Sequence, residues 1–436
     1  MKKIIYLFLL VTTMAFADAT ENLFNAVKKI DVINVKAAIE NNANVNAKDS
    51  LGNTPLDYLM SDYNLETGSV KDINVVNTDM EKKYEIAKLL IKEDANINIT
   101  KVFKDRVLFY LIIKTSLADI QFDEDIEKQK LALNADINFF NLILDTGVDL
   151  NQINMSVDNG QLNLLDYAII RIYSINSELK IETKLHGLEK IIQVLIDKNL
   201  IVSKNFRPIL LNYAVDLDNQ KIVAAMLKLG TDVNTMIDDE FPTLIAAKNN
   251  SVEMLKFLES RGGYLDGMNS KKETPLSVAV DNSSLDAVKY LIENGVDTNQ
   301  VSDDKLYLLM KAIKYADQSE NEDGKEIVKI LLKNEDINVN CKIDIPIDYF
   351  DNGYAFSPLS VCKDLEILEL LIDKGADVNM KSNIGSTAIM NTVDTNKVDF
   401  LLKNGANINE VDNDNNNALT NLLRLLEEGI AEEDLD

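Results

Sequence analysis

The chain of 436 residues has no tryptophan, one histidine, two cysteines and six prolines, and it sets 45 basic against 71 acidic residues. Each shortage closes off a class of function. With His186 as the sole histidine, neither a histidine-based zinc site nor a Ser–His–Asp triad has the residues it needs. Two thiols, Cys341 and Cys362, make no disulfide scaffold in a chain this long, though they leave open either one bridge or two buried thiols. A net charge of −26 argues against nucleic acid, whose phosphates call for clustered Lys and Arg, and against an anionic membrane surface. It favours cationic or neutral partners. There is no phosphate loop, because the Gly324-Lys325 pair lacks both the earlier glycine and the following hydroxyl. A calcium loop fails too: Asp412, Asp414 and Asn416 fit, but Asn417 stands where Gly is needed and Leu423 where a bidentate Glu belongs. The paired carboxylates Asp238–Asp239 and Asp303–Asp304 fall at turn tips, where water keeps both ionised; acid–base chemistry needs one desolvated. The expectation is no enzyme, no cofactor and no metal.

Long apolar runs are also scarce. One, residues 4–16, follows Lys2 and Lys3 and leads into Ala15-Phe16-Ala17. A basic start, a short apolar core and a small-x-small end describe a secretory signal peptide over 1–17, cleaved after Ala17. The run is shorter than the roughly 20 residues a bilayer span requires. The mature chain is expected in the periplasm or outside the cell, with no membrane span after cleavage.

What the chain has in abundance is repetition. "IENNANVN" (39–46), "IKEDANIN" (91–98), "LDTGVDLN" (144–151), "LKLGTDVN" (227–234), "IENGVDTN" (292–299), "IDKGADVN" (372–379) and "LKNGANIN" (402–409) share one ending. Gly230, Gly262 and Gly295 are spaced by 32 and 33 residues, and Gly375 and Gly405 by 30. Each ending closes an apolar run at helical spacing: Val288, Leu291, Ile292; Leu368, Leu371, Ile372; Val398, Leu401, Leu402. Residues at i, i+3 and i+4 share one helix face, so each run predicts an amphipathic helix with a narrow buried stripe. The following Gly suits a left-handed cap, with Asn42 or Asp94 near the cap where Gly is missing. Upstream, "GNTPLDYL" (52–59), "ETPLSVAV" (273–280) and "FSPLSVC" (356–362) put a capping hydroxyl and then Pro at a helix start.

On these motifs the chain resembles ankyrin-repeat proteins, whose unit of about 33 residues carries T-P-L-H-x-A and G-A-D-V-N signatures. The resemblance covers roughly 21 to 427 and implies an all-α solenoid of about ten to eleven helix-turn-helix units with hairpin fingers. The family's motif His is absent; Asp57, Ser277 and Ser360 stand in its place, and Cys362 takes the place of the small core Ala. Asn46, Asn98 and Asn151 are 52 and 53 apart, so units over 18–203 carry long inserts between their two helices, around 61–80, 114–136 and 173–187. Units over 204–427 are more regular, and 428–436 is an acidic tail. No Pro- or Ser-rich linker divides the chain, which predicts one continuous stack.

One finger departs from the rest. Residues 341–358 crowd Tyr349, Phe350, Tyr354 and Phe356 around Asp351-Asn352-Gly353, a two-residue hairpin signal. With the turn at Asn352-Gly353, Tyr349 faces Phe356; Tyr349, Tyr354 and Phe356 share one face and Phe350 takes the other. Such rings serve either as local core or as a binding hot spot. The resemblance implies non-catalytic protein binding through finger tips and the concave helix face. Candidate contacts are Asp238, Asp239, Phe241, Lys271, Lys272, Asp303 and Asp304, with Tyr349, Phe350, Asp351, Tyr354 and Phe356 as anchor. The expected protein is a monomeric bacterial scaffold of the periplasm or exterior that binds another protein. The alternatives are an inhibitor or immunity-type protein masking a basic enzyme or toxin, an architectural envelope component, and an enzyme using the inserts.

Overall fold

A computed structural model gives the fold. It describes residues 17–60, 80–95, 186–301, 306–318, 322–343 and 356–427, and shorter stretches between 108 and 170. The apolar run 4–16, most of the inserts, Asp303, Asp304, Tyr349, Phe350, Asp351, Tyr354 and the tail 428–436 lie outside the described residues. Although no linker composition marks a border, the chain divides into two compact units, Met1–Arg207 and Pro208–Asp436.

In the first unit, α1 (17–28) and α2 (Val32–Glu40) are followed by α3 (Pro55–Met60) and α4 (Met80–Lys92), and α4 packs on both α2 and α3. The finger after Leu150 is long enough to form an antiparallel pair, β1 (Asn154–Val157) and β2 (Gly160–Asn163), with Asn154 opposite Asn163. Asn163 then caps α5 (164–170), its Oδ1 accepting from the amides of Leu165 and Asp166, both at 2.9 Å. His186 opens α6 (His186–Asp197).

The second unit shows the repeat at its plainest. After α7 (Arg207–Asp216) and α8 (Gln220–Lys228) come the helix pairs α9/α10 (Pro242–Lys248, Val252–Glu259), α11/α12 (Pro275–Asp281, Leu285–Glu293), α13/α14 (Leu308–Gln318, Glu322–Lys333) and α15/α16 (Pro358–Val361, Leu365–Asp373). A 3₁₀ turn (Ala388–Asn391), α17 (Thr395–Lys403) and α18 (Ala418–Glu427) complete it. First helices pack serially on first helices, α9 on α11, α11 on α13, α13 on α15, while second helices do the same in their own layer. A single pair cannot cover its own apolar stripe, and stacking supplies the missing partner. Val288, Leu291, Leu368, Leu371 and Leu401 are fully buried, as the periodicity predicts. The stripe is narrower than the periodicity predicts: Ile292, Ile372 and Val398 are only half-buried, and Leu402 is exposed. The expected left-handed caps are present at Gly230, Gly262, Gly295, Gly375 and Gly405, and at Asn42 and Asp94.

The capping hydroxyls also bond as the sequence predicts. Thr274 and Ser357 each accept from the amide three residues on, and Ser277 and Ser360, standing where the family has His, return the bond to complete a capping box. Asp57 plays that part for Thr54, accepting from its amide at 2.7 Å and its hydroxyl at 2.8 Å.

Candidate functional site

The fingers of the second unit are built as tight turns clipped to one another. Asp238 and Asp239 both have positive φ, 50° and 70°, between Ile237 and Glu240, whose backbones exchange two hydrogen bonds of 2.9 Å. Two left-handed residues in a row make the mirror-image turn that suits a two-residue hairpin, and Asp tolerates it better than most side chains. The Asp239 carboxylate accepts from the amide and hydroxyl of Ser270 in the next finger, both at 2.8 Å. Those two bonds hold its carboxyl below the usual carboxylate range. Asn269 donates through Nδ2 to the Asp239 carbonyl at 3.2 Å. Asp239 is therefore a clip, while Asp238, Lys271 and Lys272 are exposed at the tips.

Beneath these tips lies a cleft of about 280 Å³, lined by Asp238, Asp239, Glu240, Lys248, Lys271, Glu273 and Asp281, with Leu244 and Val278 among its apolar lining. Glu240 pairs with Lys248 at 3.6 Å and Asp281 with Lys311 at 3.2 Å, which leaves the lining acidic on balance. The cleft thus gathers three of the sequence candidates, Asp238, Asp239 and Lys271. It adds Glu240, Lys248, Glu273 and Asp281, which motif reading missed. Lys248 and Asp281 stand 33 residues apart at matching ends of consecutive first helices, so aligning the units one under another would have found them.

Two candidates belong elsewhere. Phe241, expected at the contact surface, is 4% exposed and packs with Leu244 and Val278. Gly267 lets its ring in, since a β-carbon there would lie 3.2 Å from it. Phe356 is also 4% exposed, and its carbonyl accepts from the Ile343 amide at 2.9 Å; the expected pairing with Tyr349 lies outside the described residues. The Ile343–Phe356 bond has counterparts in four other fingers: the amide of Asp49, Asn269, Ser382 or Asp412 bonds the carbonyl four residues on and closes the base. Ile343 occupies that same place, and its bond reaches Phe356, thirteen residues on. Cys341 and Cys362 are both free and buried; burial pushes the Cys341 thiol up to about 12 and raises that of Cys362 as well.

Successive units are joined by one residue of the shared ending. The side chain of Asn234 donates to the Gly262 carbonyl at 2.9 Å and accepts from the Tyr264 amide at 2.9 Å. Asn340 does the same with Gly375 and Asp377, and Asn379 with Gly405 and Asn407. Among the described residues no group of three or more His, Cys, Asp or Glu could hold a metal ion, and no helix is long and apolar enough to cross a membrane.

Residues 243–343, which span the three pairs α9 to α14, match the family described as "Ankyrin repeats (3 copies)". Over residues 243–343 the chain is similar to ankyrin repeats. It is 27% identical over 158 residues to an ankyrin repeat protein of Fowlpox virus (strain NVSL), a match that covers 35% of this chain and 43% of the relative. A second Fowlpox ankyrin repeat protein is 28% identical over 190 residues, 42% of this chain and 92% of the relative. The ankyrin repeat domain of Bcl-3 superposes with a TM-score of 0.41 at 19% identity, covering 49% of this chain and 92% of that one. The chain thus spans less than half of the first viral relative's length.

Proposed function

We propose that this ankyrin-repeat chain is a non-catalytic protein-binding scaffold whose contact surface is the row of clipped fingers and the acidic cleft below them, around Asp238, Lys271 and Glu273. The observation that carries the reading is the division of labour within each finger. Asp239 and Asn269 lock neighbouring fingers together, Phe241 closes the core, and Asp238 and Lys271 remain exposed on a fixed frame. Side chains held on a rigid support bind with little ordering cost. Enzymatic work has no support in the cleft, whose carboxylates are wet or already paired. Residues 1–17 favour an exported, bacterial setting, in the periplasm or outside the cell.

The test is capture of a partner from the source organism, comparing the native chain with Asp238→Lys/Glu240→Lys and with a control on a second helix, Lys289→Glu. Loss in the cleft variant, with capture kept by the control, is expected. Equal capture by all three would move the contact surface elsewhere. For location, the mature chain is expected to begin at Asp18; a chain retaining Met1 in the cytosol would refute export.

A further inference from the structure

Three consecutive fingers present an apolar side chain to solvent at the same place, two residues past the last position of the shared ending. These are Met236, Met268 and Val301, which are 44%, 58% and 40% exposed. Lys48, Lys342 and Lys381 occupy that place in other units, so the position is open to solvent and accepts charge. Val411, in the last finger, is apolar as well, but the preceding Lys381 interrupts the row and bonds to its neighbour Glu410. An uninterrupted run therefore exists only across the three fingers from 236 to 301 among the described residues. Exposed Asp232, Asp238, Asp266 and Asp297 surround it, and on the described residues of these fingers only Lys271 and Lys272 carry the opposite charge.

We propose that Met236, Met268 and Val301 form the anchor row for a basic amphipathic helix of the partner; this rests on the scaffold reading above and names the chemistry of what the fingers hold. Apolar side chains repeated once per finger offer a linear apolar edge, which the stripe of an amphipathic helix matches through anchors at i, i+3 or i+4 and i+7. Methionine adapts its shape to such a stripe at little cost. An added strand is disfavoured, because the finger backbones are already engaged: the Asn269 amide bonds Glu273, the Ser270 amide bonds Asp239, and Ile237 and Glu240 bond each other. The flanking carboxylates select Lys and Arg on the polar face of the helix. They also reject a second copy of this chain, which brings the same net charge of −26.

The probe is an 18-residue amidated peptide of Leu and Lys with Leu at helical spacing, set beside a scrambled peptide of the same composition and a Leu/Glu counterpart. Binding is read by fluorescence anisotropy at 0.15 M salt. The Leu/Lys helix is expected to bind at least about ten-fold tighter than the scramble, with no binding of the Leu/Glu peptide. Met236→Ser/Met268→Ser/Val301→Ser should remove that ten-fold preference while leaving the urea unfolding midpoint unchanged. If the triple variant is less stable, Met268→Ser alone should still weaken binding about three-fold. Equal affinity for helix and scramble, or a preference untouched by either variant, would reduce the effect to diffuse charge attraction and overturn the proposal. So would a concentration-dependent dimer in sedimentation that the triple variant abolishes, because the occupant would then be a second copy. Failure of the peptide arm with partner capture still lost in Asp238→Lys/Glu240→Lys refutes the helix and keeps the scaffold; failure of both refutes the two together.

Discussion

Lys397 shows how a length change in the repeat is absorbed by one residue. Gly375 follows Ser357 by 18 positions, against 21 from Thr274 to Gly295, and helix α15 ends at Val361 after four residues where α11 runs seven. The carbonyls a further turn would have used are met by Lys397 of the next unit, whose Nζ donates to Ser360 at 2.9 Å and to Cys362 at 2.7 Å. Burial pushes its ammonium down to about 8, despite Asp317 and Asp394 facing it, with Lys363 opposing them. Lys397→Met leaves both carbonyls without this donor, so a net loss of about 2 kcal/mol in urea unfolding is expected, after allowing for the relief of a buried charge. The pH dependence has a definite sign. The folded chain gives up this proton near pH 8 and the unfolded chain near 10.5, so between those values the unfolded state binds more protons and stability from this group rises with pH. The native chain should therefore gain on the Met variant from pH 7.5 to 10; an unchanged gap would mean the ammonium is not desolvated. The two thiols give a further check. A thiolate is the reactive form, and both thiols are buried with raised pKa, so a disulfide reagent at pH 8 should label neither until urea unfolds the chain. Rapid labelling of the native protein would contradict their burial.

At the scale of the element, the amide clamp gives the shared ending its physical meaning. Asn340 needs both ends of its side chain: Nδ2 donates to Gly375 at 3.0 Å while Oδ1 accepts from Asp377 at 2.8 Å. Asn340→Ala should cost about 1–3 kcal/mol. Asn340→Asp should cost more, although it keeps the acceptor, because a carboxylate oxygen would then face the Gly375 carbonyl. An Asp variant as stable as the native chain in thermal melts would show that the donor half of the clamp does nothing. Much of this level was legible. The ending, the glycine caps and the Thr-Pro or Ser-Pro starts each have a local cause, and each appears where the spacing put it. What was not legible depends on a neighbour. Phe241 read as a contact-surface ring because finger positions are mostly exposed, and for Phe356 local core and binding anchor both stood open, yet each is drawn into the core at the base of its finger. The bond between Ile343 and Phe356 follows from closure at a fixed place in the finger, a place that only comparison with the other fingers reveals. Lys397 offered no signal of its own, since its burial answers a shortened helix in the preceding unit.

For the whole molecule, the deciding quantity is charge. Most of the ion pairs in view, among them Lys325–Asp364 at 2.6 Å and Lys329–Glu366 at 2.7 Å but not Lys311–Asp281, lie at least partly in solvent, and pairs of that kind contribute about 0–1 kcal/mol each. Set against them is an excess of 26 negative charges along a chain whose finger tips and second helices are rich in Asp and Glu. Such an excess keeps the protein in solution and opposes its compact state through self-repulsion. The two contributions respond oppositely to salt. Screening of attractive pairs would lower stability, whereas screening of the net repulsion raises it, as the Debye length falls from roughly 30 Å at 0.01 M to about 8 Å at 0.15 M. Because unlike charges are outnumbered, repulsion should dominate, and the melting temperature is expected to climb by a few degrees over that range of NaCl and then level off. A fall would mean that the ion pairs between consecutive units outweigh the net charge. The same screening acts in the other direction on a cationic partner, whose affinity for the fingers should drop as the protein itself becomes more stable. Measured together, a rising melting temperature and a rising Kd would trace both effects to one source, the carboxylates left exposed once Asp239 and its counterparts have locked the fingers in place.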